Sequence, residues 1–355
     1  MAERRFLTLD GMRGLAACVV LIRHMGGAPA SVFSGGYLAV DFFFCLSGFV
    51  LAHAYGDAPL SVPGFLKARA IRLYPLYFAG LVLGVITALV VGVGMIQLLG
   101  SIALSAAFLP TPFQVPGEPG ELGSVYPLND PAWSLFFEII ANAAWFPLRR
   151  HLSGVTATLV LTGCVALYIA CDLTYGAAAG PTWQNMLGGF GRVAFGFMAG
   201  VAIYKLWRRS TWRPAAPSWL IGLGLLVVLA APVDRARFDA PAVLLLMPPL
   251  VFFGACCKPS GGWIAAAERL LGNASYPVYV LQMPIIVLLD QLAGPLRASG
   301  LPFVSIHPSL VTTPVTLILV IAGALWLDKV YDRPVRRWLA SVSALPRARA
   351  VRAAE

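Results

Sequence analysis

Charge is scarce in this chain. Only 12% of its 355 residues are Asp, Glu, Lys or Arg, while 59% are hydrophobic and the mean hydropathy is +0.78. A soluble domain carries about twice that charged fraction, so an ordinary water-soluble globule is excluded. Histidine is scarcer still. The six cysteines (Cys18, Cys45, Cys164, Cys171, Cys256 and Cys257) stand in apolar stretches without metal-ligand spacing. They read as small buried hydrophobes, and no metal is expected. There is no repeat of fixed period, which excludes a solenoid. No serine sits in a Gly-x-Ser-x-Gly elbow, so a serine nucleophile of that kind is not expected. The basic start, "MAERRF", is not followed by a small-residue cleavage site after an apolar core. No removed signal peptide is therefore expected.

Long apolar runs are what the chain does have. They fall near residues 11–28, 37–56, 73–94, 95–110, 131–148, 154–172, 185–206, 218–233, 240–257, 272–292 and 310–328. Most approach the roughly 20 residues a spanning helix needs. The formal net charge of +10 is explained without nucleic acid, because cytoplasmic loops of membrane proteins collect Arg and Lys. Lys67, Arg69 and Arg72, then Arg149 and Arg150, then Lys205 to Arg213, then Lys258 and Arg269, then Arg333 to Arg337 all fall between or after these runs. The stretch 111–130 holds Glu118, Glu121 and Asp130 with no basic residue, and 173–184 is also free of Lys and Arg. These two belong outside. Segment 95–110 then starts and ends on the outer side, as an interfacial or re-entrant piece. The expectation is an all-α integral membrane protein of about ten transmembrane helices, both termini cytoplasmic. Residues 1–339 form the membrane domain and 340–355 a disordered basic cytoplasmic tail. The low charge and long apolar runs are expected to place the multi-pass chain in the bacterial inner (cytoplasmic) membrane, and abundant Ala, Gly, Pro and Arg read as a GC-rich bacterial coding sequence.

The first run, "LDGMRGLAACVVLIRHMG", holds Arg13, Arg23 and His24 around an otherwise greasy core. Ionisable groups inside a bilayer are costly and face a cavity or a partner. Eleven residues separate Arg13 from His24, about 20° around the helix and about 16 Å along it. Both face one way, and a polar cavity reaching into the bilayer accounts for them. "AVDFFFCLSGF" puts Asp41 near the outer end of the second run, and "WSLFFE" puts Glu138 about two turns into the fifth. A carboxylate beside an imidazole would fix its tautomer. "KARAIRLYP" sets Arg69 and Arg72 three residues apart on one face, at the cytoplasmic surface between two runs. "LGNASYPVYVLQMP" opens another helix from inside, with Ser275, Tyr279 and Gln282 on one side of it.

In order, these pieces resemble the acyltransferase-3 family of membrane-bound bacterial O-acyltransferases. "LDGMRGLAACVVLIRH" is similar to its opening signature, "GGYLAVDFFFCLSGFVL" to its second-helix motif and "RAIRLYPLY" to its Arg-x-x-Arg segment. "WSLFFEI", the Ser-Tyr-Pro motif around Tyr276, and the closing "YDRPVRRWL" follow. The set spans residues 7 to 339. The chain departs from the family at Gln282, where relatives usually carry His, at Ile139 after Glu138, where a second Glu is frequent, and at Asp332 in the closing motif. Some relatives add a C-terminal extracytoplasmic esterase-like domain, and none is expected here.

The resemblance implies transfer of an acetyl group from acetyl-CoA, the co-substrate, to a hydroxyl of a cell-envelope or exported carbohydrate, or of a lipid-linked sugar. His24 would be the general base, with Asp41 or Glu138 orienting it. Arg13, Arg69 and Arg72 would hold the phosphates of the donor, with Ser275, Tyr276 and Tyr279 in the same binding site. Membrane lipid is the remaining partner, and no nucleic acid is expected. The acceptor, the acyl length and the oligomeric state are left open. A proton-coupled carrier of a small anion or sugar derivative also fits intramembrane Arg, His and carboxylates. A non-catalytic glycan-binding scaffold is the third reading.

Overall fold

The computed structural model describes residues 6–113, 123–214, 216–259, 261–298 and 308–343. Among them the chain is helical. It has no strand and only two isolated bridges, Ser124 with Thr182 and Pro217 with Lys258. This follows from composition, because a helix satisfies its own backbone hydrogen bonds where no water is at hand. The helices are α1 (Leu7–Met25), α2 (Gly27–Val32), α3 (Ala39–Tyr55), α4 (Val62–Val91), α5 (Met95–Ala106), α6 (Ala132–Leu148) and α7 (Gly154–Tyr175). Then come α8 (Met186–Arg209), α9 (Ser218–Ala230), α10 (Arg235–Pro241), α11 (Met247–Cys256), α12 (Gly262–Ala298), α13 (Pro308–Leu327) and α14 (Arg333–Val342). Short π-turns at Ala242–Leu246 and Asp328–Asp332 join α10 to α11 and α13 to α14.

Seven helical stretches among the described residues are long and apolar enough to cross a membrane. The other apolar helices, α5, α6 and α9, have 12, 17 and 13 residues. At 1.5 Å per residue the three span about 18, 26 and 20 Å, all shorter than a hydrocarbon core of about 30 Å, so length alone does not separate α5 from the other two. Glu118 and Glu121 lie outside the described residues. In the segment expected to be a tail, α14 continues through Val342, and 344–355 also lie outside them.

Two helices begin earlier than hydropathy indicates. Helix α4 starts at Val62, where Ser61 caps it by accepting the Gly64 N–H at 3.2 Å, and it stops at Gly92 with φ +86°. A Ser N-cap, a Pro in the first turn and a left-handed Gly after the last turn are strong boundary signals. Arg69 and Arg72 therefore sit two to three turns inside a helix, not in a loop between two of them. Helix α12 starts at Gly262, so its Ser-Tyr-Pro motif lies more than three turns in.

Glycine sets the tightest packing. A Cβ at Gly14 would stand 2.4 Å from the backbone of Leu271, so α1 lies backbone to backbone on α12. Likewise a Cβ at Gly48 would meet the Phe197 carbonyl at 2.0 Å, and one at Gly200 the Cys45 carbonyl at 1.9 Å, which binds α3 to α8. Small residues permit such approach where apolar lipid gives helices no hydrophobic reason to associate. Helix α7 is the opposite case: one face packs on α8, with Tyr168 buried, and the other leaves Val155, Leu159 and Leu173 exposed.

Gly200→Leu is expected to lower stability by about 1–3 kcal/mol or more, through overpacking. Gly163→Leu on α7 has nothing within 4 Å and is expected to melt at the wild-type temperature or slightly above, since Leu is the better helix former. Thermal melting of both variants in detergent checks this; equal melting of the two would refute the α3–α8 contact.

Candidate functional site

The α1–α12 contact builds one wall. Arg13 Nε donates to Ser275 Oγ at 2.8 Å and its NH2 to the Gly272 carbonyl at 3.1 Å. Asp10, one turn before it, lies 3.2 Å from the same guanidinium. Ser275 Oγ in turn donates to the Gly272 carbonyl at 2.7 Å. Ser134 and Tyr279 share a hydrogen bond of 2.6 Å, which ties α6 to α12. Tyr276 OH donates to the Leu73 carbonyl of α4.

The opposite wall comes from α3, α4 and α6. Arg69 NH2 lies 2.7 Å from Glu138 Oε1, which also accepts from Ser47 Oγ at 2.7 Å. Arg69 is 8% exposed, and its Nε has no partner among the described residues. Between the walls is a cavity of about 140 Å³, with Arg13, Arg69, Arg72, Glu138, Ser275, Tyr276 and Tyr279 on its surface. Seven of the nine residues singled out from sequence thus meet in one cavity. Three guanidiniums and one carboxylate line it, and even with Asp10 set against Arg13 the balance is cationic, suited to an anionic ligand.

His24 and Asp41 are elsewhere. His24 is the penultimate residue of α1, about 16 Å beyond Arg13 along the helix, and does not line the cavity. Its side chain lies beside Gln282 of α12, whose Oε1 is buried without a partner among the described residues. The His24 Nδ1 is likewise buried without a partner among the described residues. Gln282 Nε2 donates to the Tyr279 carbonyl at 3.2 Å. Residues 275, 279 and 282 thus form a polar column on α12 that runs from Arg13 towards His24.

Neither carboxylate expected to orient His24 does so. Glu138 is held by Arg69 and Ser47. Asp41 is engaged by Arg192 of α8, with Nε to Oδ1 at 3.1 Å and NH2 to Oδ2 at 2.7 Å. Their side chains are 1% and 3% exposed. The physical reason is priority of charge: a buried guanidinium without a counter-ion is far costlier than an imidazole beside an amide. Arg192 also donates to the Ala179 and Tyr37 carbonyls, at 2.8 and 3.0 Å. Sequence reasoning passed over this residue, although it stands as a lone charge in "MLGGFGRVAFGFMAG", itself a signal. At the far rim, Ser124 Oγ donates to Asp130 Oδ1 at 2.6 Å, and burial pushes the Asp130 carboxyl up to about 6. No group of three or more His, Cys, Asp or Glu able to hold a metal occurs among the described residues.

Apolar helices around a cationic, carboxylate-bearing cavity describe a membrane protein with a polar site inside it. The chain belongs to the acyltransferase-3 family: the family model Acyl_transf_3, described as an acyltransferase domain, matches residues 6–329. That decides for group transfer over the carrier and scaffold readings. Protein 2 in the picA locus of Rhizobium radiobacter is 41% identical over 194 residues, 47% of this chain and 96% of that one. The exopolysaccharide production protein ExoZ of Rhizobium meliloti (strain 1021) is 27% identical over 278 residues, 73% of this chain and 80% of that one. Acyltransferase MdmB of Streptomyces mycarofaciens is 22% identical, covering 94% of this chain and 92% of its own. No solved structure matches the chain.

The Asp41–Arg192 pair is expected to be a scaffold. Asp41→Asn should cost about 3–5 kcal/mol, because it strands a buried guanidinium, and activity and melting temperature should fall together. Unchanged melting with lost turnover would instead place Asp41 in the chemistry.

Proposed function

We propose that the protein O-acylates a carbohydrate hydroxyl with an acyl group, acetyl in the simplest case, from a coenzyme A thioester at the inner membrane. The observation that carries this is the cavity lined by Arg13, Arg69 and Arg72, continued by the α12 column to His24. Guanidinium forks suit the phosphates of the donor, and its long arm would bring the thioester up the column. His24, as neutral imidazole, would take the proton of the acceptor hydroxyl. The hydroxyl oxygen bonds to the acyl carbon, the carbon–sulfur bond breaks, and the thiolate leaves with the proton from His24. The Gln282 contact supplies the orientation that no carboxylate supplies. A saccharide or lipid-linked sugar acceptor is in keeping with a relative named for exopolysaccharide production.

The purified enzyme is expected to release free thiol from acetyl-CoA only when envelope glycan is added. His24→Ala and His24→Gln should each lower that rate by about 10²–10⁴ with little change in melting temperature. Near-normal turnover in His24→Gln would sink the assignment, since an amide can bridge helices but cannot accept a proton.

The proposed membrane arrangement has ten crossings, by α1, α3, α4, α6, α7, α8, α9, α11, α12 and α13, with both termini cytoplasmic. The helix pairing supports it. Arg13 meets Ser275 and His24 meets Gln282, so α1 and α12 run parallel; Asp41 meets Arg192 and Gly48 meets Phe197, so α3 and α8 do too. In a ten-crossing chain α1 and α12 are the first and ninth spans, and α3 and α8 the second and sixth. Each pair runs in one direction, as required. Reporters fused at Arg150 and Ser210 are expected inside and one at Gly176 outside; a shared side for Arg150 and Gly176 would break the scheme.

A further inference from the structure

A second, larger cavity of about 940 Å³ lies where the ends of α3, α6 and α8 meet the start of α7. It shares no lining residue with the first. Its rim carries five cations, Arg149, Arg150, Lys205, Arg208 and Arg209, against one carboxylate, Asp57. Arg208 is paired with Asp57 at 2.7 Å, a contact with both side chains well exposed and hence weak. Arg149 and Lys205 are tied to the backbone, Arg149 at the Phe146 and Ala58 carbonyls and Lys205 at the Leu152 carbonyl. That leaves Arg150 and Arg209 exposed, without an acceptor among the described residues. A neutralising protein partner for this charge is therefore missing from the cavity itself.

Two features point to a ligand with oxygen acceptors. Trp145 lines the cavity at 4% exposure, and its indole N–H is buried with no acceptor among the described residues. The 22-residue helix α7 begins at the cavity with Ser153 and Gly154, and no side chain caps it. Uncapped N–H groups at the positive end of a helix dipole favour an anion. Deeper in, the lining turns apolar, with Leu161 of α7 and Met198 and Val201 of α8. One wall is α7, whose outer face, with Val155 and Leu159, is exposed.

We propose that this cavity binds an anionic phospholipid. Its phosphate would sit among Arg150, Arg209 and the start of α7, and an acyl chain would lie along Leu161, Met198 and Val201. A cationic rim above an apolar, lipid-facing groove fits a charged headgroup with hydrocarbon attached; a soluble anion would use only the rim. Basic pockets between helices at the cytoplasmic membrane surface hold such headgroups. The proposal rests on the chain being a membrane protein and is independent of the acyl-transfer reading.

The test is native mass spectrometry of the full chain, released from micelles containing either phosphatidylglycerol or phosphatidylcholine with the same acyl chains. Wild-type protein is expected to retain one phosphatidylglycerol at least tenfold better than phosphatidylcholine. Arg150→Gln/Arg209→Gln is expected to lose that preference while keeping the wild-type melting temperature in detergent. Gln leaves Arg149, Lys205 and Arg208 to hold the topology. Equal retention of the two lipids by wild type overturns the proposal whatever the variant does. So does displacement of the lipid by glycerol 1-phosphate at equal concentration, which would mark a site for a soluble anion.

Discussion

Arg192 sits about two turns into helix α8 at 3% side-chain exposure, and two oxygens of Asp41 and two backbone carbonyls meet its guanidinium. In a low-dielectric interior a charge without such company is ruled out by several kcal/mol. That constraint recurs along the chain. Arg69 is met by Glu138, and Arg336 by Asp328 and Asp332 at 3.4 and 2.8 Å. Arg13 is met by Asp10, Ser275 and Gly272. Arg336 and Asp10 pair locally, but Arg192–Asp41, Arg69–Glu138 and Arg13–Ser275 join helices far apart in sequence. They fix which helices are neighbours and at what height, and an apolar surface alone fixes neither. Replacing a buried pair with hydrocarbon is often neutral for stability. What the pairs add here is register, together with the polar lining of the cavity.

Register matters because the site is assembled from single residues on α1, α3, α4, α6 and α12. Glycine supplies the closeness and charge supplies the height. Gly14 lets α1 touch the α12 backbone at Leu271, and one turn further along α12 Ser275 is in reach of Arg13. Had α1 stood at an ordinary helix–helix distance of 8–10 Å, filled by side chains, the 2.8 Å contact at Ser275 would not form.

The all-helical class was legible from hydropathy, and so was most of the cavity, because an intramembrane charge is conspicuous in a greasy run. Arg13, Arg69, Arg72, Glu138 and the α12 motif are of that kind. What a linear reading could not supply was partnership. Asp41 and Glu138 look interchangeable as neighbours of an imidazole, and only the packing of α3 on α8 shows that Asp41 already answers Arg192. Helix starts were misjudged for a related reason. Hydropathy ends a span at the first charges, yet α4 carries Lys67, Arg69 and Arg72 inside its first turns, because Arg69 points at Glu138 and the helix signal at Ser61 outweighs the polarity that follows.

Gln282 then carries a consequence for the proposed reaction. An amide beside His24 can hold the ring but cannot relay a proton, so a base at this position has no second imidazole to discharge into. The proton His24 removes from the acceptor must leave on the departing thiolate. The α12 column sets polar groups between the two ends: Gln282 donates to the Tyr279 carbonyl, Tyr279 OH shares a hydrogen bond with Ser134, and Ser275 accepts from Arg13. A thioester drawn up that column brings its sulfur to the proton, so no relay through fixed side chains is needed. In this scheme the guanidiniums at the near end hold the donor, and its length spans the roughly 16 Å between Arg13 and His24.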